Sequence, residues 1–204
     1  MTGVAAELLD DIYFAARWLV KETGSYYGHV AVRLPERDRF LLQYLRPPLD
    51  DASDYDELLL FDMNSAQLEG KRESPREIHI YSEAFKSNPR WNSVIHAHPE
   101  MAIVLSVASE PLRAIDQQSR WFMEPVPIYP SATFAATSEI GRELARLMHK
   151  SRAVAMRGHG IVVAGETLKE AFARADRLFS RRPDFSSSRH RQGKTDFSDR
   201  RLGC

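Results

Sequence analysis

The sequence has almost no cysteine and lacks any long apolar segment. Its single cysteine, Cys204, has no partner within the chain, which excludes an internal disulfide and a thiolate metal cluster and favours a reducing compartment. No apolar run approaches the roughly 18 residues that a membrane-spanning helix needs. Glu7, Asp10 and Asp11 near the start are unlike the basic start of a signal peptide. These features predict a cytoplasmic protein.

Net charge is also lacking, since 28 Lys and Arg residues balance 28 Asp and Glu residues. This balance argues against nucleic acid or an anionic membrane as the main partner. The 204 residues are enough for one domain with a full core, which we expect to span residues 1–179. Residues 180–204 have no apolar period and carry six arginines and one lysine against three aspartates, so a disordered basic tail is predicted there.

Apolar periodicity and capping residues predict a chain of alternating helices and strands. The predicted helices span residues 5–21, 75–87, 100–107, 138–150 and 167–179. The predicted strands span residues 30–34, 40–45, 58–61, 93–98, 112–115, 153–156 and 161–164, and a further short strand or a turn is expected at 126–129. An exposed loop is expected at 46–56 and a turning segment at 64–70. Because most strands arrive in hairpins with helices between the pairs, we expect a largely antiparallel sheet covered by helices.

The segment V-I-H-A-H-P-E-M at 94–101 is the most informative of the chain. Side chains two positions apart on a strand leave the same face, so His96 and His98 should project together. Pro99 then ends the strand and opens a helix. Two adjacent imidazoles can chelate one metal ion, although a buried pair satisfied by hydrogen bonds remains the alternative.

A third histidine, His159, lies between Gly158 and Gly160 just after a predicted buried strand. Glycines let the backbone approach closely and present a side chain at the rim of a sheet. With His96 and His98, this residue gives the three imidazoles of an open, zinc-type catalytic site. A histidine in an ordinary tight turn is the competing interpretation.

Glu77 has two interpretations. In S-P-R-E at 74–77, the pattern is that of a capping box with Pro75 at the first helical position, which would make Glu77 a helix-stabilising residue. A glutamate held at a helix start could instead face a metal as a general base, or bind the metal until substrate displaces it.

Together, Glu77, H-A-H-P at 96–99, R-G-H-G at 157–160 with Gly165, and G-H-V-A-V-R at 28–33 resemble the class II aldolase/adducin family. The resemblance covers roughly residues 5–179. The H-x-H motif and the later H-G are specific in combination.

The resemblance implies a site, a fold and an assembly. His96, His98 and His159 would hold a divalent metal, zinc in the first place with manganese or iron as alternatives, and Glu77 would be the catalytic acid/base. The implied fold is α/β, a three-layer α/β/α arrangement around a central mixed, mostly antiparallel sheet. The implied assembly is a homotetramer with active sites between subunits.

The chain departs from the sugar-phosphate aldolases of the family in the segments that resemble their phosphate cradle. It has G-H-V-A at 28–31, Q-Y-L-R-P at 43–47 and P-R-E at 75–77, so the hydroxyl and amide donors suited to phosphate are mostly missing. The tyrosine that some aldolases use as a proton donor would fall at Gln117 or Gln118, which cannot serve as an acid.

These departures are more similar to the branch that contains decarboxylases of hydroxylated aromatic and ring-cleavage acids. In that branch His29, Arg46 and Arg76 would bind the carboxylates of a small-molecule substrate, because guanidinium forks match carboxylate geometry. Solvated surface charges are the alternative explanation for both arginines.

We therefore predict a metal-dependent carbon–carbon lyase that decarboxylates a hydroxylated aromatic or ring-cleavage acid through a metal-stabilised enolate. A class II aldolase acting on an unphosphorylated hydroxy-keto acid is the first alternative. A non-catalytic, adducin-like scaffold and a metal-dependent oxygenase are the others.

Overall fold

Helices and strands make up most of the residues that the computed structural model describes, which are 4–45, 58–107, 111 and 124–179. The helices in these residues are α1 (Ala6–Thr23), α2 (Ile78–Ser87), α3 (Glu100–Val107), α4 (Ser138–Ser151) and α5 (Leu168–Phe179). The strands are β1 (Gly28–Arg33), β2 (Arg39–Tyr44), β3 (Leu58–Asp62), β4 (Gln67–Glu69), β5 (Ser93–Ala97), β6 (Ile128–Tyr129), β7 (Ala153–Met156) and β8 (Gly160–Gly165).

All eight strands form one sheet, in the order β4-β3-β2-β1-β5-β8-β7-β6. Neighbouring strands are antiparallel except for β6 and β7, which are parallel. The strands β1 and β5 lie side by side at the centre, although β2, β3, β4 and α2 come between them in the chain. The predicted largely antiparallel sheet is therefore confirmed.

Helices cover both faces of the sheet. On β1, Val30 and Val32 point into the cluster formed with α1, α3 and α5, whereas Ala31 points into the cluster formed with α2 and α4. This alternation follows from the two-residue period of a strand, and each face is apolar because each is covered. The predicted α/β/α layers are confirmed.

The helix ends explain where several elements begin and stop. Gly24 ends α1 in the left-handed conformation, at φ 65°, and its N–H donates to the Val20 carbonyl. Helix α4 is capped by Thr137, whose hydroxyl accepts from the Ile140 N–H at 3.4 Å. Helix α4 thus begins at the predicted residue, Ser138, and its cap is the preceding residue, Thr137, whose backbone is extended.

The segment predicted only to turn away after β3 contains a further edge strand, β4, whose three residues are exposed. Other predicted features lie outside the described residues: the loop 46–56, the strand 112–115, Gln117 and Gln118, and the tail 180–204. The domain boundary at residue 179 thus stays a prediction. None of the helices described is long and apolar enough to cross a lipid bilayer.

Helices α2 and α4 pack closely through Gly141. A Cβ atom at this position would lie 2.5 Å from the His79 carbonyl oxygen and 3.0 Å from Glu83 Cγ. Only a residue without a side chain allows that approach, so Gly141 fixes α2 against α4. This contact also holds the start of α2, where Glu77 lies.

A partly buried ion-pair network joins α5 to the start of β7, and it leads to a prediction on stability. Glu170 accepts hydrogen bonds from Arg174 at 2.5 Å, Arg152 at 2.7 Å and the Glu166 N–H at 2.6 Å. Burial opposes ionisation of Glu170, but the Arg174 hydrogen bond, the Glu166 N–H and the two positive charges outweigh it, so its pKa lies below the ordinary 4.5.

We expect Glu170→Gln to lower the free energy of unfolding at pH 7 by about 2 kcal/mol, because buried Arg174 loses its charged partner. A lowered folded-state pKa stabilises the fold above the unfolded-state value, so the difference from wild type should shrink as pH falls below 4.5. Urea unfolding at pH 7 and at pH 4 measures both effects. Glu139 offers a control, because it forms an exposed ion pair with Arg142. Its replacement in Glu139→Gln should therefore change stability little. An equal loss in both variants would contradict the prediction.

Candidate metal centre

Three histidines and one glutamate meet where β5 ends and the β7–β8 hairpin turns. Glu77, His96, His98 and His159 each offer a ligand atom, and these atoms all lie within 4.8 Å of one another. His96 lies in β5, His98 directly follows it, His159 lies in the hairpin turn, and Glu77 immediately precedes α2. The four residues singled out in the sequence are thus brought together in space.

Backbone carbonyls fix the orientation of two of the imidazoles. The His96 Nδ1 atom lies 2.8 Å from the Ile161 carbonyl oxygen, and the His98 Nδ1 atom lies 3.0 Å from that of Tyr27. Because a carbonyl only accepts, each Nδ1 must carry the proton and donate it. In the neutral ring Nε2 is then left with its lone pair, as in a metal-binding histidine.

Glycines on both sides place His159 against the other two rings. Gly158 adopts φ 65°, and the His159 N–H donates to the Met156 carbonyl at 3.0 Å, which closes the turn between β7 and β8. The His98 and His159 rings stack with centroids 5.0 Å apart and planes 6° apart. A Cβ atom on Gly160 would lie 2.6 Å from both the Ala97 carbonyl oxygen and His98 Cδ2. His98 therefore occupies the space that a side chain at position 160 would need.

Glu77 faces the histidines and does not cap a helix. Helix α2 begins only at Ile78, no side chain caps it, and the Ser74 hydroxyl turns to the Pro75 carbonyl. The capping-box prediction was wrong, because the tertiary contacts of the carboxylate replace the local one. Glu77 Oε2 lies 3.2 Å from His96 Nε2, and Oε1 lies 3.4 Å from His159 Nε2. The Ala135 N–H donates to Oε1 at 3.3 Å.

The surroundings of Glu77, His98 and His159 lower the pKa values of all three groups. Burial would raise the pKa of Glu77, but its contacts with His96, the charge of His159 and the Ala135 N–H together lower it to about 2. Burial, helped by the neighbouring His96, lowers the pKa of His98 to about 3 and lowers that of His159 as well. Neutral imidazoles beside a carboxylate are the protonation states that a divalent cation requires.

The ligand atoms of the cluster are suited to a bound cation. The Nε2 atom of His96 is buried and has no well-directed hydrogen bond, although the Glu77 carboxylate is 3.2 Å away. Both atoms are acceptors when the imidazole is neutral, so their approach is favourable only with positive charge between them. Imidazole nitrogens with one carboxylate form a donor set suited to zinc and related divalent metals. The cluster could therefore bind a metal ion.

The three residues predicted to bind substrate differ in their surroundings. His29 is buried on the sheet face that carries the cluster, opposite His96 in the β1–β5 register. Arg46 lies outside the described residues. Arg76 is exposed and makes no hydrogen bond or ion pair with the part of the chain that the structure describes, and its role in substrate binding stays a prediction.

Two aromatic residues near His29 were missed in the sequence. The Tyr44 ring contacts the His29 ring edge-on at 4.5 Å, and the Tyr81 ring does so at 5.8 Å. The Tyr81 hydroxyl is buried and has no hydrogen-bond partner among the described residues. Its position one helical turn after Glu77 was a signal that could have found it, because residues four apart share a helix face.

The four-residue cluster, which could hold a metal ion, lies at the strand ends of an α/β/α sandwich. A solved structure of L-fuculose 1-phosphate aldolase superposes with a TM-score of 0.74 at 22% sequence identity, over 86% of this chain and 82% of that chain. A second one, from Thermus thermophilus, has a TM-score of 0.70 at 23% identity, over 86% and 91% of the two chains. The sequence model described as Class II Aldolase and Adducin N-terminal domain matches residues 13–179. The chain belongs to this family.

Among characterised relatives, the 3,4-dihydroxyphthalate decarboxylase of Arthrobacter keyseri is 28% identical over 162 residues, which cover 72% of this chain and 64% of the relative. The protein of the same name from Terrabacter sp. (strain DBF63) is 28% identical over 174 residues, covering 79% and 70%. The chain thus spans less than two thirds of the first relative. Both relatives are named as decarboxylases.

Proposed function

We propose that this chain is a divalent-metal-dependent carbon–carbon lyase that decarboxylates a hydroxylated aromatic or ring-cleavage carboxylic acid. The observation that carries the proposal is the convergence of imidazole lone pairs and an ionised carboxylate in one buried cluster. Such a donor set has no structural use in a satisfied core, where polar groups pair with one another.

His96, His98 and His159 are the proposed metal ligands, with zinc as the first choice and manganese or iron as alternatives. When bound there, the metal would supply Lewis-acid stabilisation of negative charge on a substrate oxygen. The carbonyls of Ile161 and Tyr27 orient two of the three rings, as partners of ligating histidines commonly do.

Glu77 is the proposed acid/base. Its ionised carboxylate would accept the proton of a substrate hydroxyl, and the electrons of that bond would pass into the conjugated system. Glu77 then returns the proton to the ring carbon that bears the carboxylate. The bond to the carboxylate carbon breaks, carbon dioxide leaves, and the electrons of the broken bond restore the conjugated system with the negative charge on the hydroxyl oxygen. Burial and the contact with Ala135 hold the carboxylate in one place for both transfers.

Two observations favour decarboxylation over aldol cleavage of a sugar phosphate. The characterised relatives named above are decarboxylases. In addition, β1 carries the buried imidazole of His29, whereas a small polar donor would suit a phosphate better. His29 is accordingly proposed as a substrate-binding residue.

Assembly and location complete the proposal. Helix α3 exposes Val104, Leu105 and Val107, an apolar surface suited to a contact between subunits of a homotetramer. A cytoplasmic location fits the single cysteine of the sequence.

The test combines metal content with product analysis. We expect freshly purified protein to hold about one zinc, manganese or iron per chain, and to release carbon dioxide from 3,4-dihydroxyphthalate or a related hydroxylated aromatic acid. His98→Ala should lose both properties. His149→Ala is the matched control, because His149 lies on α4, packs against Trp91 and is not part of the cluster. Pyruvate or an aldehyde among the products would favour the aldolase alternative, and folded protein that cannot be loaded with metal would contradict the lyase.

A further inference from the structure

A row of polar side chains runs across the sheet from the cluster towards β2. The register pairs Tyr44 with His29 across β2 and β1, and His29 with His96 across β1 and β5. Farther along the same row the partner of His96 is the apolar Val162. The polar part of the row therefore extends from the proposed metal ligands in one direction, and it ends at Tyr44.

Arg72 lies at the Tyr44 end of this row. Its guanidinium carbon is 4.3 Å from the centroid of the Tyr44 ring, a stacking distance at which the ring attracts a cation. The backbone is anchored beside it: Gln67 Nε2 donates to the Arg72 carbonyl at 2.8 Å, and the Tyr44 hydroxyl donates to the Glu73 carbonyl at 2.9 Å. The segment that leads to Glu77 is thus tied to the end of β2 with Arg72 at its exposed surface.

His29 lies between Tyr44 and His96, and its polar atoms are unsatisfied. Its side chain is 6% exposed, and neither ring nitrogen has a hydrogen-bond partner among the described residues. Burying an imidazole without hydrogen-bond partners costs free energy. A bound group that forms a hydrogen bond with His29 would therefore be stabilised beside the cluster. The charge of Arg72 reaches this ring, since it is among the causes that hold the pKa of His29 low, after burial and the neighbouring histidines.

Arg76 differs from Arg72 in its contacts with aromatic rings. It is exposed, stacks on no ring and makes no hydrogen bond or ion pair within the described residues. Both arginines lie on the same short segment before α2, so they form a matched pair with opposite expectations.

We propose that Arg72, stacked on Tyr44 and backed by His29, binds a carboxylate group of the substrate. A planar guanidinium held against a ring keeps its fork in one plane, which suits two-point pairing with a carboxylate. In the strand register His29 lies between Tyr44 and His96, so an acid bound at Arg72 would lie at the end of the row that leads to the proposed metal ligands. This assignment rests on the proposed function for the kind of substrate, and it replaces Arg76 as the cationic residue.

The test measures binding and does not depend on turnover. The zinc-loaded protein is titrated calorimetrically with 3,4-dihydroxybenzoate and with catechol, which differ by one carboxylate. Wild type should bind the acid more tightly than catechol. Arg72→Gln should weaken binding of the acid about tenfold and leave catechol unchanged, because one charge-assisted pair is lost. Arg76→Gln should change neither value, and Arg72→Lys should restore part of the loss, since it keeps the charge without the planar fork.

The outcomes separate the two proposals. An unchanged preference for the acid in Arg72→Gln, a loss in Arg76→Gln, or a wild type with no preference would overturn the assignment of Arg72. Catechol binding reports an intact metal site in each variant. An Arg72-dependent preference for the acid, together with no release of carbon dioxide from any acid tested, would sink the lyase and leave the carboxylate site standing.

Discussion

Replacing Glu77 with glutamine should lower kcat for carbon dioxide release by about 10²- to 10⁴-fold, the usual worth of a positioned acid/base. Glutamine has almost the same shape as glutamate but can neither accept nor return a proton. The three histidines remain, so metal content per chain should stay close to that of wild type. The measurement is steady-state turnover beside metal analysis on the same preparation.

Glu83→Gln is the control for this prediction. Glu83 lies on α2, the helix that Glu77 immediately precedes. It is equally buried at 6% exposure and pairs with Lys86 at 3.0 Å, outside the cluster. Its replacement should leave kcat nearly unchanged. Full turnover in Glu77→Gln would remove the acid/base role, whereas loss of metal in that variant would show that the carboxylate acts as a ligand.

Replacing Gly160 with alanine should weaken metal binding by about 10- to 100-fold, the range found when the support of a metal ligand is disturbed. The new Cβ would lie 2.6 Å from His98 Cδ2 and 2.6 Å from the Ala97 carbonyl oxygen. One of these atoms must move, and either movement shifts His98 relative to His96 and His159. Competition with a chelator measures the change in zinc affinity.

Gly165→Ala separates this effect from general loss of stability. Gly165 ends the same strand, β8, and its Cβ would crowd the Ala171 N atom at 2.4 Å, far along the strand from His98. We expect this variant to unfold more easily, yet to bind zinc with wild-type affinity while folded. If both variants lost zinc equally, the loss would follow from destabilisation of the sheet, and Gly160 would have no particular role at the site.

Local sequence patterns predicted the antiparallel sheet covered by helices and the paired histidines, because those features depend on short periods. The spacing of His96 and His98 puts both on one face of a strand, and the rings indeed lie 4.6 Å apart by centroid. The pair of strands around His159 follows from two apolar runs with glycines between them. For these residues the local backbone conformation alone sets the direction of the side chain.

Glu77 shows where local patterns fail. The same sequence, S-P-R-E, is compatible with a capping box and with a carboxylate that faces a metal. A cap contributes only about 1 kcal/mol to stability. Ala135, whose N–H contacts this carboxylate, is 58 positions away in the chain. Contacts with residues so far away in the sequence outweigh the local cap, and nothing within S-P-R-E predicts them.

The sequence by itself therefore determined the helices over an antiparallel sheet and the histidine set, since apolar period and motif spacing act within a few residues, and its resemblance to the family implied the α/β/α layers. Only the tertiary structure decided that Glu77 faces the histidines and that Arg72 stacks on Tyr44 at the end of the polar row. The physical reason is that these contacts depend on strand register. Register is fixed by the packing of whole strands and helices, because a shift by one residue would turn every side chain to the opposite face.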